Sequence, residues 1–586
     1  MSQTKSLNIL AYFLLIICFL LSFFSMVGIS LTMDELAHIP AGFSYLYAKD
    51  YRLNPEHPPL VKDLAALPLL FLNLNFPANH PSWQTGVNNQ WWFGNQFIFK
   101  SGNNPDLIMF WARIPMILLT ILFCWFVYFW AKKLFGPKLA LIPLIFAVFS
   151  PTILAHGRLV TTDIAASFGF LFATYFWIKF LKSPTKKNIF IAGITLGISL
   201  LLKFSLALLV PILGIITITY ALLKKENKIR WLIKYIVWAI IAGIIGVVLI
   251  IWPVYAFHIW NYPIQKQVSD TQSILASHPN NLLKKTCIWM AGNPLLRPLA
   301  HYMLGLLMAT QRVASGNTVY FLGTVSGGGI KSYFPIVYLL KVPLAFHLLF
   351  LIALIWILIK TLPQFTLKNC LQRTQEWIKN NVEIFSLIVI IVVYWITSIS
   401  GELNIGIRHI LPTFAPTYLI LTFIIKRVLE RSKSNKERLA FVSVLSLMII
   451  WYVGSSLAAF PHYLSYFNEL AGGPKNGYKY VVDSNYDWGQ DLKRLQQFVK
   501  ENNIQKIYVD YFGGDDVEYR LCNAWQKFDP KKEKPKGWLA ISATFLQGGI
   551  GRPIRGFDQP TGYYRWLLDY KPVARAGNSI FIYYIK

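Results

Sequence analysis

Apolar positions along the chain fall in blocks of roughly 20 residues, the length a helix needs to cross a hydrocarbon core of about 30 Å. The blocks lie at residues 9 to 31, 107 to 130, 138 to 154, 163 to 181, 189 to 202, 204 to 223, 232 to 253, 334 to 359, 382 to 399, 410 to 425 and 439 to 460, which predicts eleven crossings. Read as one helix, residues 189 to 223 would run about 50 Å at 1.5 Å per residue, too long for one span without extreme tilt. A break at Lys203 divides this stretch into two short spans.

Charge placement supports the break. With the N-terminus inside, the short cytoplasmic loops carry Lys132, Lys133 and Lys138; Lys182, Lys186 and Lys187; Lys224, Lys225, Lys228, Arg230 and Lys234. They continue with Lys360, Lys368, Arg373 and Lys379, then Lys426, Arg427, Arg431, Lys433, Lys436 and Arg438. The short outer turns hold only Arg158, Lys203 and Arg408, the asymmetry of the positive-inside rule. Merging the two helices would place the later basic loops outside. The first block has no A-x-A-like cleavage site and reads as a retained anchor. The expected location is the plasma (inner) membrane, multi-pass, with a cytoplasmic N-terminus and an extracytoplasmic C-terminal domain.

Three long segments then fall outside: 32 to 106, 254 to 333 and 461 to 586. The last has strand-like runs at Ile504 to Phe512, Trp538 to Ala543 and Ser579 to Ile585, and a helix-like run at Gln490 to Lys500. The predicted fold class is therefore a mainly α polytopic membrane protein, residues 1 to 460, with a small α/β extracytoplasmic domain, residues 461 to 586. Composition agrees: 55% of 586 residues are hydrophobic and 14% charged, which excludes an ordinary soluble domain. Lys and Arg number 56 against 27 acids, a formal charge of +29 that in a soluble protein would suggest nucleic acid. Here the loops account for it, and no nucleic-acid partner is expected. The cysteines Cys18, Cys124, Cys287, Cys370 and Cys522 are scattered and show no C-x-x-C spacing.

Candidate chemistry collects at one membrane face. The first outer loop, LTMDELAHIPAGFSYLYAKDYRLNPEHPPLVKDLAALP, places Asp34, Glu35 and His38 directly after a span, then Glu56, His57 and Lys62. A helix here sets Asp34 and His38 one turn apart on one face. The plain alternative is a capping box of Thr32 with Glu35. In SPTILAHGRLVTTDIAASF, Asp163 stands at the mouth of the fourth span near His156 and Arg158. A cap also explains it, but acids at that depth are costly without partners, so a shared polar cavity is the economical reading. In GELNIGIRHILPTF, Arg408 and His409 enter the tenth span as anchors or as cationic contacts to phosphate. Arg113, inside the apolar run FWARIPMILL, requires an anionic partner.

Three tempting motifs fail. GTVSGGGIKS is no phosphate loop, because Ile330 separates the last Gly from Lys331. DSNYDWGQD begins like a calcium loop but has Trp488 at the glycine position and Arg494 where the bidentate Glu belongs. HYMLG and PHYLS hold isolated histidines without metal spacing.

The combination DE-x-x-H-x-x-x-G, NPEHPPLVK, SPTILAHGRLVTTD, VYFLGTVSGGGIKSYFP, IGIRHILP and YFNELAGGPKNGYKYVVDSNYDWGQDL resembles the lipid-carrier-dependent glycosyltransferases of the GT-C superfamily. The branch is that of protein O-mannosyltransferases and lipid A aminoarabinose transferases. The resemblance implies a polyprenyl-phosphate-linked sugar donor and inverting transfer on the outer face to a protein, lipid or glycan acceptor. It maps the acidic pair to Asp34 and Glu35 and the second acid to Asp163. HPPL-x-K matches the mannosyltransferase form at His57 and Lys62, whereas the aminoarabinose branch has Lys directly after the acid at Glu56. The expected site therefore comprises Asp34, Glu35 and Asp163 as catalytic carboxylates, with Arg113, Glu56, His57, Lys62, His156, Arg158, Arg408 and His409 binding substrate. Asp34 would be the base and the cations would receive the lipid phosphate. Related oligosaccharyltransferases use a divalent cation, whereas this sequence offers only carboxylates and histidines without a ligand pattern, which leaves a divalent cation open. The rival class is a polyprenyl-lipid or sugar transporter or flippase, against which stand the absence of an inverted repeat and the gathering of polar residues at one face.

Overall fold

A computed structural model describes residues 2–224, 227–361 and 370–586; Lys225 and Lys368 of the basic loops lie outside the described residues. Among the described residues, eight helices are long and apolar enough to cross a membrane: Thr4–Met26, Pro105–Phe135, Asp163–Lys182, Phe204–Leu222, Lys228–His258, Val382–Ser400, Ile407–Arg431 and Asn435–Ala458. A ninth crossing results if the pair Tyr333–Lys341 and Leu344–Lys360, bent by 103°, is one span. Pro343 explains the bend: it has no N–H to donate, and it drives Val342 to extended backbone with φ −88° and ψ 138°.

The two remaining apolar blocks form shorter helices. Residues 138 to 154 become Leu141–Val148 and Pro151–His156, parted where Ser150, ahead of a proline, turns extended and caps the second helix. The block at 189 to 202 is the helix Lys186–Leu200. Its Gly193 lies against the helix Lys228–Gly246, where a Cβ would come 2.5 Å from the Ala242 carbonyl oxygen. At Lys203 the backbone is extended, φ −162° and ψ 144°, before a 3-10 turn at Phe204–Leu208 leads into Leu209–Leu222.

Residues between the first two long helices form Met33–Tyr47 and Leu60–Ala66 with shorter turns, and residues 254 to 333 form Ile264–Ile274, Asn281–Gly292 and Arg297–Ser315. The strands are β1 Val319–Phe321, β2 Thr324–Ser326, β3 Ile507–Asp510, β4 Trp525–Gln526, β5 Gly537–Ser542, β6 Arg552–Ile554, β7 Ala574–Ala576 and β8 Ile580–Ile585. The C-terminal segment builds a five-stranded sheet in the order β4-β3-β5-β8-β7, flanked by the helix Leu492–Glu501. β3 runs parallel to β4 and β5, and β8 antiparallel to β5 and β7. The β1–β2 hairpin joins β6 in a second small sheet, stitching the loop ahead of Tyr333 to the C-terminal segment. Lys341, buried at the helix bend, donates to the carbonyls of Leu464 (2.8 Å) and Asn485 (2.6 Å), which fixes that segment against the helices.

Candidate active site

Thr32 and Glu35 form a capping box at the start of Met33–Tyr47. Glu35 Oε2 accepts from the Thr32 amide (3.0 Å) and hydroxyl (2.9 Å) and from Arg113 Nη2 (2.7 Å). Its Oε1 accepts from Arg113 Nε (2.8 Å) and the Val160 amide (3.1 Å). Arg113 also donates to the carbonyls of Ser30 (2.8 Å) and Ile29 (3.3 Å). Burial works to raise the Glu35 pKa, but the Arg113 charge and these donors outweigh it and hold the carboxyl below the usual glutamate range. Both residues are buried and neither reaches the cavity. This corrects two expectations: Glu35 has no oxygen left for catalysis, and Arg113 none of its fork for substrate. Together they tie the first loop to the second long helix and to Val160.

With Glu35 turned inward, Asp34 and His38 emerge on the adjacent face. Asp34 Oδ2 accepts from Arg408 Nη1 at 2.6 Å, and the same nitrogen lies 3.5 Å from Asp163 Oδ2. Asp163 Oδ1 accepts from Lys203 Nζ at 2.6 Å. A chain of alternating charge, Asp34, Arg408, Asp163, Lys203, thus joins four distant stretches. Asp163 is fully buried, whereas the Asp34 side chain keeps 22% exposure and opens onto solvent-accessible space. That space is a cavity of about 1030 Å³, bordered by Asp34, His38, Glu56, His57, Lys203, Arg408 and His409. Its other walls come from Arg297–Ser315 and from Tyr394, Thr397 and Ser398 of Val382–Ser400.

Glu56 is steadied by Gln90 Nε2 (2.6 Å) and Asn88 Nδ2 (3.2 Å). His38 and His57 meet edge to face with ring centroids 5.0 Å apart. His38 Nδ1 faces the Val160 carbonyl at 2.9 Å, a geometry that only a protonated Nδ1 satisfies, so a neutral ring presents Nε2 as acceptor. Burial depresses the pKa of both rings, keeping them neutral around pH 7.

Three further expectations are corrected. The Lys62 amine is buried behind the loop, donating to Tyr45 Oη (2.7 Å), Asn54 Oδ1 (2.8 Å) and the carbonyls of Asn54 and His57 (2.9 Å each). Arg158 donates to the carbonyls of Ser25 (2.5 Å) and Pro461 (3.2 Å). His156 packs beside Trp488, ring centroids 5.8 Å apart. All three hold backbone or packing partners and none borders the cavity. Conversely, two features not counted among the expected site residues lie beside it: Lys203 borders the cavity, and Ser484 and Trp488 of DSNYDWGQD contact Arg408.

That segment carries two acids with raised proton affinity. Burial pushes Asp483 up to about 6 and Asp487 up to about 7, the latter with Oδ2 bonded to the Thr544 amide (2.8 Å) and Oδ1 unpartnered. Between about pH 4 and 7 the folded chain keeps the Asp487 proton that the unfolded chain has lost. Stability is therefore full below this window and declines as pH rises through it, by an amount on the order of 4 kcal/mol from Asp487. Asp487→Asn is expected to flatten the decline, measured as melting temperature by intrinsic fluorescence between pH 5 and 8; an unchanged slope would contradict the assignment.

Asp34 and Asp163 are bridged by Arg408, and among the described residues no group of three or more His, Cys, Asp or Glu converges on a point that could hold a metal.

Residues 107–254 match the family model described as dolichyl-phosphate-mannose-protein mannosyltransferase, a segment that contains Asp163 and Lys203 but neither Asp34 nor Arg408. Among solved structures, the chain is similar to the Archaeoglobus fulgidus oligosaccharyltransferase in apo form, at 14% identity, TM-score 0.45, covering 88% of this chain and 64% of that one. It is also similar to the Archaeoglobus fulgidus oligosaccharyltransferase AglB in complex with an inhibitory peptide and a dolichol-phosphate (12%, TM-score 0.44, 92% and 71%). A third is ArnT from Cupriavidus metallidurans bound to undecaprenyl phosphate (10%, TM-score 0.29, 97% and 97%). The chain thus spans under two thirds of the length of the first of these. No curated protein matches it by sequence.

Proposed function

We propose that the chain is a polytopic glycosyltransferase of the GT-C type that moves a sugar, mannose or a related hexose, from a polyprenyl-phosphate donor to a hydroxyl-bearing acceptor on the extracytoplasmic face. The observation that carries the reading is the convergence of Asp34, Arg408 and Lys203 at the wall of one large cavity, with the buried Asp163 joining the two cations behind it. The family model matched over residues 107–254 adds support from the sequence side.

The chemistry follows from these groups. The acceptor oxygen attacks the anomeric carbon as its proton passes to Asp34. The carbon–oxygen bond to phosphate breaks, and the electron pair leaves with the phosphate oxygen. Arg408 and Lys203 supply the positive charge that receives it, Arg408 through a forked guanidinium suited to phosphate. Asp163, buried between the two cations, holds them at a fixed separation. One displacement inverts the anomeric centre and needs no covalent intermediate on the chain. The isoprenoid tail stays outside the polar cavity, in contact with the helices.

Mass spectrometry of cell-envelope glycans, glycolipids and glycoproteins with and without this chain tests the proposal. Loss of one hexose from one acceptor class is expected on its removal; an envelope unchanged in every class would sink it.

A further inference from the structure

The segment Asp483–Asp491 lies within the C-terminal part of the chain, yet it touches Arg408 and the residue before Asp34. The fully buried Trp488 places its indole under the Arg408 guanidinium, 4.2 Å from ring centroid to the guanidinium carbon. Its carbonyl accepts from the amide of Met33 at 3.1 Å, the residue before Asp34. The next anchor is the Ser30 amide, which donates to the Gln490 carbonyl at 3.0 Å.

On the other side, Ser484 Oγ accepts from Arg408 Nε at 3.2 Å and donates to the Ile405 carbonyl. Asn485 Oδ1 accepts from the Ile407 amide at 2.9 Å, and Asn485 Nδ2 donates to Tyr333 Oη at 2.8 Å. The approach is close enough that a Cβ on Gly406 would stand 2.2 Å from Ser484 Oγ.

Resting on the phosphate-binding role proposed above for Arg408, we infer that Trp488 and Ser484 are positioning residues: they hold the Arg408 fork against Asp34 and toward the cavity. The inference explains a feature of the geometry. Arg408 sits on a 3-10 turn, Ile407–Thr413, between two acids that compete for it. Asp163 already has Lys203. The indole face and the Ser484 oxygen fix the guanidinium plane and its Nε edge, leaving the Nη nitrogens toward the acids and the cavity. The C-terminal part then supports Arg408 from behind the cavity wall.

The test uses the full chain in lipid nanodiscs, with a short-chain polyprenyl phosphate as probe and amide exchange of residues 405–409 as a second reading. Trp488→Leu is expected to weaken probe binding about thirtyfold, the scale of a desolvated cation–π contact, and Trp488→Phe to restore most of it. Ser484→Ala is expected to cost about threefold. Because both act through Arg408, Trp488→Leu combined with Arg408→Ala should bind no worse than Arg408→Ala alone. Exchange at 405–409 should quicken in Trp488→Leu and Ser484→Ala. Wild-type affinity and exchange in both variants, or additive losses in the double variant, would overturn the inference. If wild-type chain ignores the probe, the phosphate reading fails while amide exchange still decides the positioning role. Should Trp488→Leu not fold, Ser484→Ala carries both readings.

Discussion

Asp34→Asn is expected to slow sugar transfer by about 10²–10⁴-fold, the range that a positioned general base supplies. Asparagine keeps the shape and an oxygen for Arg408, so the cation network and the cavity persist; what is lost is a group able to take the acceptor proton. The Asp34 side chain is partly exposed, and Arg408 keeps Asp163 at 3.5 Å as a second acid. The measurement is release of polyprenyl phosphate from a polyprenyl-phosphate hexose in membranes supplied with envelope acceptors, beside a check of expression and melting temperature. Transfer at the wild-type rate in Asp34→Asn would remove the base from the scheme. The neighbouring Glu35, one position along, should behave differently, and that contrast separates catalysis from architecture.

Arg113→Met is expected to destabilise the fold by about 3–5 kcal/mol, because it strands Glu35 with no cation in a fully buried site. The consequence is a chain that expresses poorly or melts far below wild type, with any transfer loss following the loss of folded protein. Combining it with Glu35→Gln should recover part of the stability, since the amide is neutral and still accepts from Thr32 or Val160. Thermal unfolding in detergent reads both effects. A melting temperature for Arg113→Met equal to wild type would show that the pair does not hold the first loop.

The length of the apolar blocks made the helical frame legible in the amino-acid pattern. Lys203 marked a break by its charge, and the backbone there is extended, with the same amine paired to Asp163. The proline bend at Pro343 and the break at Ser150 left two blocks folded otherwise than as straight spans, because X-Pro geometry overrides apolar run length. At the site, the polar residues of three stretches do converge, and residue type alone could not say which oxygens are spent. Asp34 and Glu35 differ by one residue, yet about 100° of helical rotation sends one to the cavity and the other to Arg113. The capping-box spacing of Thr32 and Glu35 was the available hint. Arg113 demanded an anion, but its partner lies 78 residues away in sequence. Lys62 and Arg158 looked like anion contacts because their charge is visible and their carbonyl partners are not, and His156 because its packing beside Trp488 is not. Trp488 and Ser484 escaped notice since the surrounding acids were compared only with cation-loop spacing. In the C-terminal segment the long strands β5 and β8 were readable as short apolar runs rich in β-branched and aromatic residues, whereas β4 and β7, two and three residues long, carry too little pattern.

A single polar cavity that receives a lipid-borne phosphate is the central claim, and photo-crosslinking addresses it most directly. A polyprenyl phosphate carrying a diazirine near the phosphate is bound to the full chain in nanodiscs, irradiated, and the labelled peptides are mapped by mass spectrometry. Labels are expected on the cavity walls, at residues 306–315 and 394–401 and beside Arg408, competed away by unlabelled polyprenyl phosphate and lost in Arg408→Ala. Labelling confined to the lipid-facing sides of the helices, or unchanged in Arg408→Ala, would contradict it.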